Sequence, residues 1–436
     1  MKILLITLFT WLTVANDSLT IVSVGEAEIV REKILVEKVI KADGVTPNDL
    51  TSAQQALDII QNDFRYYKKI FDVLNSKVAP SDSDVKYSYY SNSSIDYLIR
   101  LNVFKEGESS KLKVRLFDIK KELSSYENTY ALTDDRNLGH EIAHETYLKI
   151  VGKPPIFKDK IVFVSDIDSK RGNKELYIMD FDGASKKRLT WHQGVVLSPA
   201  VSHDGTKILY SLISDSSKKH NVSLRIYDMQ TGKSKTVSSR KGINSGAIFT
   251  QNNDEIILTL SHQGNAELYR MNLKTKKLTR LTRHGAPDVD PSINQDGSRL
   301  TFLSGRSGSA HIYLMTPTSL ENEVKRIGFV GTFNGTPRFS PDGKEIAFSA
   351  WLDNRFDLFR LNGDGSGLGR LTKDFGSNEG PDYSKDGQFI VFTSLRVLSQ
   401  KKADQSLYIM DRDGEILGPL TKNYGKCKSP RWLKFL

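Results

Sequence analysis

A turn sequence resembling Ser-Pro-Asp-Gly recurs along the C-terminal two-thirds of the chain and constrains the fold more than any other feature. Five copies are present, and each precedes a short apolar run; they begin at Ser202, Thr250, Asn294, Ser340 and Ser384. Their turn positions are separated by 48, 44, 46 and 44 residues; these positions are Gly205, Asn253, Gly297, Gly343 and Gly387. A period in the forties with several short strands per repeat is typical of β-propeller blades.

A second apolar strand follows each turn, and one more copy precedes them all. The six copies begin at Leu176, Leu224, Leu268, Ile312, Leu358 and Leu407. Four repeats end in Leu-Thr, at Leu189-Thr190, Leu281-Thr282, Leu371-Thr372 and Leu420-Thr421. Such apolar strands must be covered on both faces of their sheet. A single sheet cannot provide this cover, whereas blades stacked around an axis cover one another. The sequence therefore predicts an all-β propeller of six blades.

The ends of the repeat array indicate how the propeller closes. The first repeat starts with KIVFVSD at Lys160 and has no strand of its own before the turn, whereas the chain ends in SPRWLKFL from Ser429. We expect the C-terminal strand to complete the first blade, which removes an open sheet edge.

An α/β domain is predicted before the propeller. Residues 51–75 place apolar side chains at helical spacing from Ala56 to Phe71, with Thr51-Ser52 available as a cap. Strands of a meander are expected from Ile95, Lys111 and Tyr126, a helix over 134–151, and a further strand from Ser18. The predicted boundaries are 29–152 for the α/β domain, 153–158 for a Pro-Pro linker and 159–436 for the propeller.

The N-terminus is typical of a secretory signal peptide. Residues 1–15 contain one lysine, an apolar run and Ala15. The run is short for a transmembrane helix, so we expect export, with an uncleaved membrane anchor as the alternative. The single cysteine, Cys427, excludes an intramolecular disulfide and is expected to be a buried structural residue.

The charge of the chain is unevenly distributed. Residues 156–436 contain 42 Lys and Arg against 30 Asp and Glu, or +12, whereas residues 16–155 contain 19 against 22, or −3. A basic propeller could meet an acidic protein, an anionic lipid or nucleic acid, or could be a solvated surface. Nucleic acid is disfavoured, because the lysines are scattered through turns without a stripe of exposed aromatic residues.

The strongest sign of catalysis is HEIAH, from His140 to His144, a match to the zinc-peptidase motif H-E-x-x-H. Histidines four apart on a helix can both bind zinc, and Glu141 could act as the general base. A third ligand is missing, however. One class of these enzymes requires a glycine and a ligating histidine at the positions where this chain has Tyr147 and Ile150. A Pro-Pro linker follows, so no further helix is available to supply a ligand. We therefore expect a polar helix face, with a secreted zinc peptidase as the alternative.

Other motifs are interpreted as structural. No G-x-S-x-G elbow is present. The glycine-rich segment from Gly363 and the aspartate pairs Asp180/Asp182 and Asp411/Asp413 are expected to form hairpin turns. The sequence thus predicts no catalytic residue, no cofactor and no metal.

The combination of signal peptide, α/β domain, linker, six blades and closing SPRW resembles the TolB family, periplasmic propeller proteins of the Tol-Pal envelope system. The most specific stretch, RNLGHEIAHETYLKIVGKPPIFKDKIVFVSD from Arg136, is similar to the family's junction between a helix and the first blade. In that family the position of Glu141 is typically not glutamate, and the position of His144 is not a metal ligand. The third repeat departs from the family by lacking Ser-Pro-Asp-Gly.

The resemblance implies a non-catalytic periplasmic scaffold for outer-membrane integrity and envelope constriction during cell division. The implied partners are the peptidoglycan-associated lipoprotein on one propeller face and TolA on the mature N-terminus, with other outer-membrane lipoproteins as further candidates. A mobile segment is expected at residues 16–28, and its implied TolA-binding residues are Asn16, Asp17, Ser18, Leu19, Thr20 and Ile21.

The loops that enter the blades carry the implied lipoprotein surface. By position, its residues are His192, Asn244, Asp288, Asp290, Asn334, Asn378, Glu379 and Lys428. They are expected on one face because each precedes the same strand of its blade, and ordinary solvated loops are the alternative. Ile243 stands where the family favours a histidine.

Overall fold

The computed structural model describes residues 30–75, 84–169, 172–214, 222–318, 323–399 and 402–433. The expected signal peptide, the strand from Ser18 and the proposed TolA-binding residues lie outside the described residues. No helix in the described ranges is long and apolar enough to cross a membrane.

One mixed sheet and three helices form the N-terminal α/β region. In chain order these are β1 (Glu32–Val36), β2 (Ile40–Lys41), α1 (Pro47–Tyr66), β3 (Phe71–Asn75), α2 (Tyr87–Asn92), β4 (Tyr97–Glu106), β5 (Ser109–Asp118), β6 (Leu123–Ala131) and α3 (Arg136–Val151). The sheet order is β3-β1-β4-β5-β6, with β2 paired to β4. The antiparallel run β4-β5-β6 confirms the predicted meander.

The bounds predicted for the first helix are wrong at both ends. The helix begins earlier because Thr46 caps it, accepting from the Asp49 amide while the Asp49 carboxylate accepts from the Thr46 amide. It ends at Tyr66, and the chain then turns so that Phe71 starts β3, parallel to β1. The apolar pattern continues through this turn because β3 also faces the core. The spacing of apolar residues alone therefore did not reveal where the helix ends.

Helix α3 confirms the second predicted helix and lies close against α1. Asp135 caps its N-terminus by accepting from the Asn137 amide, and Gly152 ends it at φ +75°. Gly139 lies at the crossing with α1, where an added Cβ would be 2.7 Å from the Cβ of Ile59. Only glycine permits this approach.

Six four-stranded antiparallel blades follow. Strands in each blade are labelled A to D from the axis outward. Blade 1 contains β7 (Lys160–Ser165), β8 (Glu175–Asp180) and β9 (Lys187–Arg188) as B to D. Blade 2 contains β10 (Val195–Val201), β11 (Lys207–Ile213), β12 (Val222–Asp228) and β13 (Ser234–Ser238). Blade 3 contains β14 (Asn244–Phe249), β15 (Glu255–Leu260), β16 (Glu267–Asn272) and β17 (Leu278–Arg280).

The second half of the ring has the same plan. Blade 4 contains β18 (Asp288–Ile293), β19 (Leu300–Ser304), β20 (His311–Met315) and β21 (Lys325–Arg326). Blade 5 contains β22 (Asn334–Phe339), β23 (Glu345–Leu352), β24 (Arg355–Asn362) and β25 (Gly369–Arg370). Blade 6 contains β26 (Ser377–Tyr383), β27 (Phe389–Ser399), β28 (Lys402–Asp411) and β29 (Ile416–Pro419). The last described strand is β30 (Lys428–Leu433).

The A strands line the axis. Each contacts the A strand of the next blade, in the order β10, β14, β18, β22, β26 and β30, and β30 returns to β10. The predicted class, an α/β region followed by a six-bladed β-propeller, is confirmed.

The repeated turn motif makes the hairpin between strands A and B. In blade 5 the Ser340 hydroxyl donates to Asp342 Oδ1 at 2.6 Å and accepts from the Glu345 amide at 2.9 Å. Gly343 occupies the left-handed region at φ +67°, and Asn253 takes the same role in blade 3 at φ +59°. The departure of the third repeat therefore changes the residues without changing the turn.

The Leu-Thr ending has a structural cause. In blade 3 the Thr282 hydroxyl accepts from the Leu268 amide at 3.0 Å and donates to Glu267 Oε2 at 2.6 Å. Arg280 pairs with the other oxygen of this fully buried carboxylate at 3.0 Å. Equivalent networks hold blades 1 and 5 through Thr190 and Thr372. The motif thus satisfies a buried acid and ties strand C to strand D.

The C-terminal strand closes the ring as predicted. β30 pairs antiparallel with β7 and forms strand A of blade 1. Trp432 on β30 is 1% exposed. Nearby Cys427 is fully buried, which confirms the expectation for the single cysteine, and burial raises the pKa of its thiol to about 11.

The α/β region docks on this closure. One apolar core joins Phe64 and Phe71 of the α/β region to Phe163 of blade 1 and Phe389 of blade 6. The ring of Tyr67 lies 5.0 Å from Phe389, and its hydroxyl donates to Asp386 at 2.5 Å. A shared apolar interface of this kind opposes movement between the two parts.

We expect Trp432→Ala to lower the free energy of unfolding by about 3–5 kcal/mol, because it empties a buried site at the seam. Trp191→Ala is the control, since Trp191 is 67% exposed, and should change stability by less than about 0.5 kcal/mol. Removal of residues 430–436 should cost more than Trp432→Ala, because the strand pairing is lost as well. Chemical denaturation measures all three, and an unchanged midpoint for the truncated chain would contradict the closure.

Candidate functional site

The propeller has two faces with different neighbours. The linker face carries the connections from strand D to the next strand A, at 189–194, 239–243, 281–287, 327–333, 371–376 and 420–427, together with the B–C hairpins. The turn face carries the A–B and C–D turns. Among the described residues, the ion pairs between the α/β region and the propeller involve turn-face residues: Lys68 pairs with Glu415, Lys69 with Asp411 and Asp413, and Arg136 with Asp182. The linker face lies on the opposite side.

The eight residues implied as a lipoprotein surface all belong to the linker face or the start of an A strand, but four are enclosed. Asn244, Asp288, Asn334 and Asn378 are each 0% exposed. Asn244 illustrates why: its Nδ2 donates to the carbonyls of Val222 and Arg240, and its Oδ1 accepts from the Arg240 amide. Side chains used in this way shape the linkers and cannot themselves touch a partner.

The other four are more accessible. Glu379 is exposed, Lys428 is half-buried, and the half-buried His192 shares a 2.7 Å hydrogen bond with the Tyr210 hydroxyl. Burial lowers the pKa of His192. Asp290 lies inside the channel, where it pairs with Arg338 at 3.0 Å. The interpretation of the eight residues as one exposed surface therefore does not hold for the buried four.

Exposed apolar side chains on the linker face were missed by sequence reasoning. Trp191 is 67% exposed and Phe329 71%; both follow a D strand. Phe333, Ile243 and Trp351 are exposed on the same face, the last in a B–C hairpin. Arg326 stacks on Phe329 at 4.8 Å. The sequence did contain a sign of these exposed rings: the residue that follows Leu-Thr, or its equivalent Ile-Gly, is aromatic in two linkers, as Trp191 and Phe329.

The linkers are also basic. They contain six exposed Lys and Arg side chains and one acidic residue, Asp374; the basic residues are Arg240, Lys241, Arg283, Lys373, Lys422 and Lys426. Apolar rings among cations favour a partner that is acidic and has apolar side chains.

The HEIAH motif does not form a zinc site in this arrangement. His140 is only 4% exposed and its Nδ1 lies 2.8 Å from Asp63 Oδ2, whereas Glu141 is exposed. Among the described residues, no cluster of three potential metal ligands includes His144. The expectation of a polar helix face is wrong for His140, which points into the junction with the propeller.

His140 has Asp180 and Asp182 close by, and the ligand atoms of the three lie within 4.8 Å of one another. Both aspartates already have cationic partners, since Lys160 donates to Asp180 at 2.6 Å and Arg136 pairs with Asp182. Asp182 also accepts from the Ala184 amide, as expected of a hairpin turn. These contacts describe a charge network that joins α3 to blade 1.

The His140–Asp63 pair binds protons more tightly in the folded state. Burial raises the pKa of Asp63 from 3.8 to about 7. Burial alone would lower the pKa of His140, but the hydrogen bond and charge of Asp63 raise it above 6.5. Because both folded pKa values are raised, the pair stabilises the protein at low pH and loses that contribution as the pH rises.

We expect the stability difference between the wild type and an Asp63→Asn, His140→Gln double variant to shrink from pH 5 to pH 8. While the unfolded state has released a proton that the folded pair still holds, the difference should fall by about 1.4 kcal/mol for each pH unit. Urea unfolding at several pH values measures it, and His284→Gln, at an exposed histidine, is the control. A difference that is constant or grows with pH would contradict the assignment.

Comparisons with known proteins agree with this architecture. The family described as TolB beta propeller domain matches residues 147–436. A "Tol-Pal system protein TolB" from Francisella tularensis subsp. holarctica is 30% identical over 278 residues, covering 62% of this chain and 60% of that protein. A "Protein TolB homolog" from Chlorobium chlorochromatii is 35% identical over 171 residues, or 39% and 37% of the two chains.

Among solved structures, TolB from Acinetobacter baumannii superposes with a TM-score of 0.75 at 24% identity, covering 93% of this chain and 97% of that one. This likeness concerns the fold. The aligned part spans about 60% of the length of the Francisella relative.

Proposed function

Because this chain belongs to the TolB β-propeller family, we propose that it is a non-catalytic periplasmic scaffold of the Tol-Pal envelope system. Its proposed partners are the peptidoglycan-associated lipoprotein and TolA, with other outer-membrane lipoproteins as further candidates. The proposed roles are outer-membrane integrity and envelope constriction during cell division.

The observation that carries the proposal is the linker face. Monomeric proteins rarely leave clustered large aromatic side chains in water, and such patches mark sites of protein association. Here Phe333 and Trp351 both pack on Phe356 at the linker between blades 4 and 5, in which Phe329 is also exposed, on a face that the α/β region leaves uncovered. Trp191 is exposed separately in the linker between blades 1 and 2. Tryptophan and arginine are the residue types most often responsible for binding energy at interfaces.

The proposed lipoprotein site combines these rings with the accessible members of the implied set. Glu379, Lys428 and His192 surround the channel mouth on this face, and the buried asparagines hold the linkers that present them. Since the linkers carry an excess of positive charge, the lipoprotein surface should be acidic, and its association should weaken as salt concentration rises.

The proposed TolA contact belongs to residues 16–28, outside the described part of the chain. A segment that binds its own protein in one state and TolA in another would couple the two binding events. The test compares bait proteins that start at residue 16 and at residue 29 in co-purification from solubilised envelopes. Both should retain the lipoprotein, and only the longer one should enrich TolA.

We expect Trp191→Ala combined with Phe329→Ala to weaken binding of the soluble lipoprotein domain by about tenfold or more, or about 1.4 kcal/mol. Calorimetry with purified proteins measures it. Tyr89→Ala is the matched control, because Tyr89 is an aromatic residue of the α/β region that is 68% exposed. Equal affinity of the wild type and the double variant would place the partner elsewhere, and no binding by the wild type would refute the lipoprotein as partner.

A further inference from the structure

The channel wall repeats one irregularity in every blade. Each A strand contains a β-bulge at a residue with positive φ; these residues are Ser198, Gly246, Asp290, Thr336, Gly380 and Ser429. The residues two positions later resume the pairing at equivalent places in the six blades; they are Ala200, Ile248, Ser292, Arg338, Asp382 and Arg431. All six line one cavity of about 120 Å³.

This six-residue ring lies at the turn-face end of the channel. The cavity is also lined by His203 and Lys385, which belong to the A–B turns of blades 2 and 6. Lys385 carries an exposed side chain, and its charge is one cause of the lowered pKa of His203, after burial. The cavity is therefore at the opposite end of the channel from the linker face.

Arg431 is a buried cation that forms no direct ion pair with a described carboxylate. Its exposed fraction is 7%, and its Nη1 donates to the carbonyl of Pro430 at 2.7 Å. No ion pair among the described residues joins it to a carboxylate; the nearby aspartates are otherwise engaged. Asp290 pairs with Arg338 at 3.0 Å, and Asp382 Oδ2 accepts from the Trp432 amide at 2.8 Å.

The electrostatics show the cost of this arrangement. Burial, followed by the charge of Arg338, lowers the pKa of the Arg431 guanidinium to about 10, and the charges of Asp382 and Asp290 offset this only in part. Buried charges in proteins are normally paired, because removing an ion from water is unfavourable unless an opposite charge replaces the solvent. Trp432, another lining residue, has a buried indole N–H with no hydrogen-bond partner among the described residues.

We propose that this cavity binds one small oxyanion, of the phosphate or carboxylate class, between the guanidinium groups of Arg431 and Arg338. A planar guanidinium offers paired N–H donors that match two oxygens of such an anion. The volume admits a group of this size and excludes a nucleotide. Lys385 at the end of the channel adds positive charge along the approach. This site is independent of the proposed scaffold function.

The experiment uses the full mature chain and inorganic phosphate as the probe, with acetate in a second series. Ionic strength is kept constant with sodium chloride, because chloride is not an oxyanion. We expect saturable binding of one phosphate per chain by calorimetry, and a thermal midpoint that rises by a few degrees at saturation. Acetate should compete with phosphate if the site accepts carboxylates; its failure to compete would restrict the site to phosphate.

Arg431→Met should abolish the phosphate-dependent rise, and Arg283→Met, at an exposed linker arginine, should retain it. The midpoint of each protein with phosphate is compared with its own midpoint without phosphate, so a change in basal stability does not affect the result. The proposal is overturned if the wild type binds no phosphate with unit stoichiometry, or if Arg431→Met shifts as the wild type does. The wild-type stoichiometry decides the question even if the variant does not fold.

Discussion

The pairing of β30 with β7 is the contact on which the rest of this molecule depends. It joins the last described strand to the first blade, so every blade has four strands and six A strands enclose the channel. Trp432 fills the seam, and the aromatic core of the α/β region packs on the two blades that meet there. Loss of this pairing would therefore expose the core of both parts at once.

Around this ring, the blades use apolar layers for cohesion and buried polar networks for register. In blades 1, 3 and 5 the threonine of the Leu-Thr ending and the preceding arginine bind a buried carboxylate. These contacts connect strands C and D and give the carboxylate its hydrogen-bond partners. Buried asparagines such as Asn244 do the same for the linkers. Polar residues that look like ligands in the sequence thus hold the loops in place.

The two faces of the propeller differ because the α/β region covers part of one of them. The α/β region occupies part of the turn face through ion pairs and aromatic contacts, so the exposed rings of the linker face remain available to a partner. The channel connects the faces, and its charged ring near the turn face gives the two ends different chemistry. The two ends of the propeller therefore present different groups to solvent.

The amino-acid sequence was sufficient to predict the blade number, the A–B turns, the closing strand and the second long helix, because each depends on local turn chemistry or on a repeat that recurs every 44 to 48 residues. The packing of distant elements was needed to show that Phe71 begins a strand, that His140 is buried against Asp63, and that four of the eight implied partner residues are enclosed. Burial depends on which distant elements meet, and sequence spacing does not encode those meetings. For the same reason the ring that contains Arg338 and Arg431 became visible only when six bulged strands were placed around one axis.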